Sequence, residues 1–186
     1  MYKLLFLLGI CFSISFQINA QKDRVNGAII KDFGEFFTIE NPDIKTDTSA
    51  SFKVIFDVSK TSEDKSIPNK YIVTATRFLN MHANLGMSKD QLKVAMTIHG
   101  AAWQDVFNNK EYKEYKEYKE KFGVDNPNLE LINQLTEAGV DIILCGQTAV
   151  YRGLDKENVI PSVKFALSAM TTLIQYQNND YIYISF

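Results

Sequence analysis

Two side chains capable of covalent or acid–base chemistry, Cys145 and His99, stand directly after apolar runs of the kind that form buried strands. A cysteine thiolate is a nucleophile, and a histidine exchanges protons near neutral pH. In an open parallel sheet, ligands gather at the carboxyl ends of the strands, where both residues would fall. If the two strands are near neighbours, this pattern predicts a thiol site in which His99 helps to lower the pKa of Cys145.

Three of the residues that follow the cysteine are candidates for holding a ligand. Gly146 and Gln147 follow Cys145 directly, and a helix beginning there would aim backbone amides at the sulfur. Arg152 lies close enough in sequence to add positive charge. The plainer interpretation stays open, since lone cysteines are often inert core residues, and on spacing alone it is the better one.

Several kinds of site are missing from the sequence. Two histidines and a single cysteine in the mature chain are too few for a zinc cluster. No glycine-rich phosphate loop and no Gly-x-Ser-x-Gly nucleophile elbow is present. A formal charge of −2 gives no indication of nucleic-acid or anionic-membrane binding. We therefore expect a site that uses neither a metal nor a cofactor.

The elements that must position these residues alternate along the chain. Strand-like runs occur at residues 52–58, 92–98, 140–145 and 181–184, and helical patterns at 71–85, 126–138 and 161–177, with a loop or short helix at 146–160. This order predicts an α/β fold, a three-layer α/β/α sandwich with a mainly parallel sheet. The pattern does not fix the order of the strands in the sheet.

A triplet of Glu, Tyr and Lys is repeated three times over residues 111–119. Its charges pair at three- and four-residue spacings, which favours a solvated helix. The helix would carry an aromatic stripe that lies on the core or on a neighbouring subunit, formed by Tyr112, Tyr115, Tyr118 and Phe122.

The first 20 residues have the order of a secretory signal peptide. A short positive start containing Lys3 precedes an apolar run over residues 4–16, and Ala20 ends the segment. The run is shorter than the ~20 residues that span a bilayer. We expect residues 1–20 to be removed, residues 21–50 to form an N-terminal arm, and residues 51–186 to form one domain. Cleavage also removes Cys11, so Cys145 becomes the only cysteine.

Three stretches resemble the DsrE/DsrF-like sulfur-relay family, which includes TusD-related proteins. They are residues 92–100, residues 126–140, and residues 145–153 followed by 161–170. With the first strand, the resemblance covers about residues 51–186. It implies a DsrEFH-like fold that assembles into trimers or hexamers. In the sulfur-relay members a cysteine carries a persulfide and passes its outer sulfur to an acceptor, and Cys145 matches that cysteine.

The resemblance implies a periplasmic sulfur carrier or sulfurtransferase-like protein that works without a cofactor. Cys145 would be the nucleophile and persulfide carrier, His99 an acid–base residue or thiolate partner, and Gln147 with the amides around Gly146 would hold the sulfur. A sulfur donor or acceptor protein would be the partner. The alternative is a non-catalytic, oligomeric protein that binds a small ligand in the same pocket, with Cys145 as lining.

Export is testable on the native protein. We expect the mature chain to begin at Gln21 and to be found outside the cytoplasm, in the periplasm or secreted, without attachment to the membrane. N-terminal sequencing of protein recovered from the cell envelope checks this. Retention of Met1, or a lipid on Cys11, would contradict it.

Overall fold

The computed structural model describes residues 23–114 and 124–186. Within these residues the chain forms strands β1 (Phe52–Val58), β2 (Leu92–Ile98), β3 (Asp141–Cys145), β4 (Lys164–Ala166) and β5 (Ile182–Ser185), and helices α1 (Lys70–Asn84), α2 (Asn109–Glu114), α3 (Leu129–Glu137), α4 (Gly146–Arg152) and α5 (Ala169–Gln177). Short 3₁₀ segments cover Lys89–Gln91 and Gly100–Val106. The α/β fold with a parallel sheet is confirmed.

The five strands form one sheet in the order β4-β3-β2-β1-β5, and every pair is parallel. Strands β1 to β4 are neighbours in sequence order. The chain then crosses to the opposite edge of the sheet, where β5 pairs with β1. In register, Val58 pairs with Ile98, and Ile98 pairs with Leu144. The carboxyl ends of β1, β2 and β3 therefore lie side by side, and the residues that follow them share one edge of the sheet.

The two faces of the sheet are covered unequally. On one face, alternate strand residues such as Phe56 and Leu144 join a large core with apolar residues of α1 and α3, including Leu79 and Leu131. On the other face a small cluster of Ile55, Ala95 and Ile143 is covered by partly buried residues such as Leu173 and Tyr176. This second layer consists of α5, which contacts β1, β2 and β3.

The predicted helix over residues 161–177 is wrong in its first half. Residues 164–166 form β4, whose Ala166 pairs with Cys145, and α5 begins only at Ala169. The free edge of β3 takes β4 as its partner, which satisfies backbone groups that burial would otherwise leave unpaired. Ser168 then caps the helix, because its Oγ accepts a hydrogen bond of 3.0 Å from the amide of Thr171.

The arm packs on the outer side of α1. Val25 and Phe36 form an antiparallel bridge, and the side chains of Ile30 and Phe36 are buried. The amide of Asn80, itself buried in α1, accepts from the backbone N–H of Ile30 and donates to its carbonyl oxygen, at 3.0 and 2.8 Å. Gly27 lies so close to Asn80 that any side chain there would collide with the amide.

The start of the Glu-Tyr-Lys repeat is helical, as predicted, and forms α2. Tyr112 is buried, and its hydroxyl donates to the carbonyl oxygen of Lys65 at 2.8 Å. Tyr115, Tyr118 and Phe122 lie outside the described residues.

A buried polar network centred on Asp105 holds the loops at the carboxyl edge. Asp105 is 1% exposed, and its carboxylate accepts hydrogen bonds from the Thr61 hydroxyl at 2.7 Å and the Asn69 amide at 2.6 Å. The Asn128 side chain donates to it at 3.4 Å and accepts from the Asn69 backbone at 2.7 Å. Burial raises the pKa of Asp105 to about 6, although these donors and the nearby Lys65 charge oppose the shift.

The raised pKa of Asp105 gives a pH dependence of stability. Its usual value is about 3.9. Between about pH 4 and 6 the folded state therefore still holds a proton that the unfolded state has lost. The free energy of unfolding should therefore fall as pH rises through this window, by up to about 3 kcal/mol. Chemical denaturation at a series of pH values measures it.

Asp105→Asn should remove this slope and lower stability most at low pH, because an amide N–H would face the Asn69 donor and the variant has no charge to bury at higher pH. Asp180→Asn is the control, since Asp180 is exposed and its left-handed backbone suits asparagine. An unchanged pH profile in Asp105→Asn would contradict the assignment.

Candidate functional site

Cys145 lies at the junction between a strand and a helix. It is the last residue of β3, it has extended backbone, and α4 begins at the next residue. The residue is 5% exposed, so its sulfur sits just beneath the surface at the carboxyl edge of the sheet. The sequence predicted that the strand ends at Cys145, and β3 does end there.

The polar surroundings of the sulfur favour a thiolate. Burial raises the pKa of Cys145, but it is outweighed by hydrogen bonds from the backbone and hydroxyl of Thr148 and from the backbone amides of Ala169 and Gln147. The pKa of the thiol is lowered as a result. The Cys145 side chain forms no capping hydrogen bond at the start of α4. The contacts of its sulfur are therefore weak while the thiol is neutral, and they strengthen as negative charge develops.

Gly146 allows this arrangement because it has no side chain. A Cβ atom at Gly146 would lie 2.3 Å from the carbonyl oxygen of Ala166 and 3.2 Å from that of Leu167. The segment that joins β4 to α5 therefore packs directly on the first residue of α4. Gln147 fastens the contact with a hydrogen bond of 3.2 Å from its Nε2 to the carbonyl oxygen of Leu167. Both helix starts thus meet at the sulfur.

His99 follows β2 directly, and β2 is the strand next to that of Cys145. Ile98 pairs with Leu144, and His99 and Cys145 are the next residues on each strand. No hydrogen bond joins them among the described residues, and His99 Nε2 contacts Asp57 Oδ1 at 2.7 Å. His99 is also not among the groups that shift the pKa of Cys145. The structure therefore makes the two residues neighbours but directs their polar atoms to different partners.

Arg152 lies at the far end of α4. A helical rise of 1.5 Å per residue puts its backbone about 9 Å along the axis from Gly146. Its guanidinium stacks over the ring of Trp103 at 4.8 Å and over that of Tyr151 at 5.4 Å. Of the predicted ligand-binding residues, Gly146 and Gln147 adjoin the sulfur, and Arg152 packs on aromatic rings.

Two parts of the site were not anticipated from the sequence. Ala169 contributes an amide to the sulfur, and the signal was Ser168, a helix-capping residue placed inside an assumed helix. Asp57 binds His99, and the signal was a carboxylate inside the apolar run of β1, near its carboxyl end. Among the described residues, no group of His, Cys, Asp or Glu could hold a metal ion.

The surface of α5 and of the link before it is apolar and uncharged. Three large side chains that project from α5 and the link before it are 57–72% exposed, and we call them the α5 face: Leu167, Met170 and Ile174. Residues 165–179 contain no Asp, Glu, Lys or Arg, although 23% of the chain is charged.

In the described part of the chain, no helix combines the length and hydrophobicity needed to cross a bilayer.

A solved structure of similar fold supports the same architecture. A protein of unknown function, MTH1491 from Methanobacterium thermoautotrophicum, has a TM-score of 0.53 at 15% identity, over 73% of this chain and 100% of its own. The ychN protein of E. coli has a TM-score of 0.49 at 12% identity, over 73% and 99%. A comparison with curated proteins finds no match. The sequence model of the DsrE/DsrF-like family matches residues 53–186, so the chain belongs to the DsrE/DsrF-like family.

Proposed function

We propose that this protein is an exported sulfur carrier that holds a persulfide on Cys145. The observation that carries the proposal is the thiol itself, which ends a core strand at the meeting point of two helix starts and has a lowered pKa. A sulfur carrier needs a thiolate that attacks and is then regenerated, and this environment favours that ionisation state. Membership of the DsrE/DsrF-like family supports sulfur relay as the type of reaction.

The chain's own residues suffice for both steps. In loading, the Cys145 thiolate attacks the sulfane sulfur of a donor persulfide or polysulfide, so that a new S–S bond forms and the donor's S–S bond breaks. In discharge, an acceptor thiolate attacks the outer sulfur, and Cys145 leaves as a thiolate. The sulfur keeps its oxidation level, and no cofactor is consumed. The backbone amides of Gln147, Thr148 and Ala169 lower the pKa of the thiol and would stabilise the charge of the sulfur before loading and after discharge.

The alternative is a protein of the same fold that binds a small ligand without chemistry. It takes its support from the burial of Cys145, which is 5% exposed. A lining cysteine needs no access for a donor, whereas a carrier needs the outer sulfur to reach solvent or a partner. Reactivity of the thiol in the folded protein separates the two functions.

Loading can be measured directly. After incubation with inorganic polysulfide and removal of the excess, the folded mature protein should gain the mass of one sulfur atom, which a reducing thiol then removes. Cys145→Ser should gain nothing, since no other cysteine remains in the mature chain. Wild-type protein that stays unmodified while folded, but reacts when denatured, would overturn the carrier function and leave the binding function.

We also propose that the protein is a homo-oligomer, most simply a trimer or hexamer. The support is the α5 face, where the exposed apolar side chains of Met170 and Ile174 lie on an uncharged segment. Interfaces between like subunits are apolar and depleted of charge at their centre. An uncharged face also avoids like-charge repulsion between two copies of one chain.

Assembly predicts the effect of a charge on this face. Ile174→Glu should shift the mature protein toward smaller species, measured by light scattering at micromolar concentration, because an interfacial carboxylate would be buried without a partner. Met81→Glu is the matched control, since Met81 is a partly exposed apolar residue on α1, on the opposite face of the sheet. A wild-type monomer, or equal effects of both substitutions, would contradict this surface as the interface.

A further inference from the structure

The two histidines of the chain have different surroundings. His82 Nδ1 contacts the carbonyl oxygen of Phe78 at 2.7 Å, and its ring packs against the rings of Phe52 and Phe78. His99 instead contacts a carboxylate, with Nε2 at 2.7 Å from Asp57 Oδ1, and its side chain is 29% exposed. His82 is a packed structural residue, whereas His99 is a partly open residue held by an acid.

Asp57 is fixed at both of its oxygens. Oδ1 accepts from His99, and Oδ2 accepts a hydrogen bond of 3.0 Å from the hydroxyl of Tyr183 on the neighbouring β5. The carboxylate is also mostly buried, with its side chain 16% exposed. It therefore cannot swing away from the imidazole without breaking a second hydrogen bond. Three strands, β1, β2 and β5, thus combine to set the orientation of one ring.

This contact selects one tautomer of His99. A carboxylate can only accept, so Nε2 must carry the proton and Nδ1 of the neutral ring is left as an acceptor. Within the described residues, Nδ1 of His99 makes no hydrogen bond, in contrast to Nδ1 of His82. The ring therefore presents an open acceptor nitrogen that the fold itself does not use.

The open nitrogen belongs to the residue beside the thiol. Asp57 pairs with Thr97, and Thr97 pairs with Ile143, so these three residues share one face of the sheet. His99 and Cys145 lie two positions further along β2 and β3, and the alternation of strand side chains sends both toward that same face. Adjacent strands lie about 4.8 Å apart, so both side chains leave the sheet edge from neighbouring positions, and an acceptor thiol at Cys145 would lie beside the imidazole.

We propose that Asp57 is a positioning residue that holds His99 in the Nε2–H tautomer, so that Nδ1 takes the proton from an incoming acceptor thiol at Cys145. This inference rests on the proposed sulfur-carrier function. Nδ1 removes the proton, and the acceptor thiolate attacks the outer sulfur of the Cys145 persulfide. The acceptor–sulfur bond forms, the Cys145 S–S bond breaks, and Cys145 leaves as a thiolate. The acceptor becomes a persulfide and no net oxidation occurs.

Three measurements separate the tautomer of His99, the ionisation of Cys145 and the transfer of sulfur to an acceptor. Nitrogen NMR of the two histidines reports the His99 tautomer, with His82 as the internal control for folding. Alkylation by iodoacetamide requires only the Cys145 thiolate. Discharge of the polysulfide-loaded protein to glutathione requires the acceptor's proton to leave as well, and general-base assistance contributes about 10²-fold or more to such steps.

In Asp57→Asn the tautomer preference should be lost, because an amide can donate as well as accept. Discharge should slow at least about tenfold while the alkylation rate stays within about twofold. Tyr183→Phe keeps the carboxylate but removes one anchor, so it should slow discharge less and in the same direction. Tyr183→Phe also tests the inference if Asp57→Asn does not fold.

Normal loading and discharge in wild type, together with unchanged discharge in the folded variants, would overturn this inference and leave the carrier function standing. Equal loss of alkylation and discharge would also overturn it, since the effect would then lie on the thiol. Wild-type protein that takes up no sulfur would overturn the carrier function and this inference together.

Discussion

The close packing of the β4–α5 link on Gly146 is the constraint on which the Cys145 site depends. Two carbonyl oxygens of the link occupy the space where a side chain at residue 146 would stand. That approach brings the amide of Ala169 to a sulfur that already faces the start of α4. A longer link, or any larger residue at 146, would separate the two helix starts. The thiol would then have only the groups of α4 to oppose the cost of burial.

The chemistry of the thiol follows from a balance between two effects of the same fold. Placing Cys145 at 5% exposure removes water from the sulfur and disfavours its charge. The amides and the Thr148 hydroxyl replace that water with fixed donors, and they prevail. Because the donors belong to backbone at helix starts, they are held in place by the sheet and need little reorganisation when charge develops. In the proposed carrier, burial would also shield a persulfide on Cys145 from bulk solvent.

Much of the architecture could be predicted from the sequence, because strong apolar periodicity marks β1, β2, β3 and α1 in any context. The loss of accuracy at residues 161–168 has a physical cause. Val163, Ala166 and Leu167 fit a helical face as well as a short strand, and the deciding factor is the open edge of β3, which is a tertiary property. Ser168 was the local signal for the true helix start.

The site was predictable in part for a related reason. Cys145, Gly146 and Gln147 are contiguous, so local pattern was enough to place them together. Asp57 and Ala169 reach the site from elements distant in sequence, and their roles depend on the strand order, which periodicity does not encode. Arg152 was placed near the sulfur by sequence distance alone. The direction of α4 carries it away and onto the ring of Trp103.

The central claim is that the fold lowers the pKa of the Cys145 thiol, so that a larger fraction of it is ionised than in a free cysteine. The most direct measurement is a pH titration of the ultraviolet thiolate absorbance of folded, mature wild-type protein, with Cys145→Ser subtracted. The account predicts a single transition with a midpoint below the ~8.5 of an unperturbed cysteine. A midpoint at or above that value, or absorbance that develops only when the protein unfolds, would contradict it.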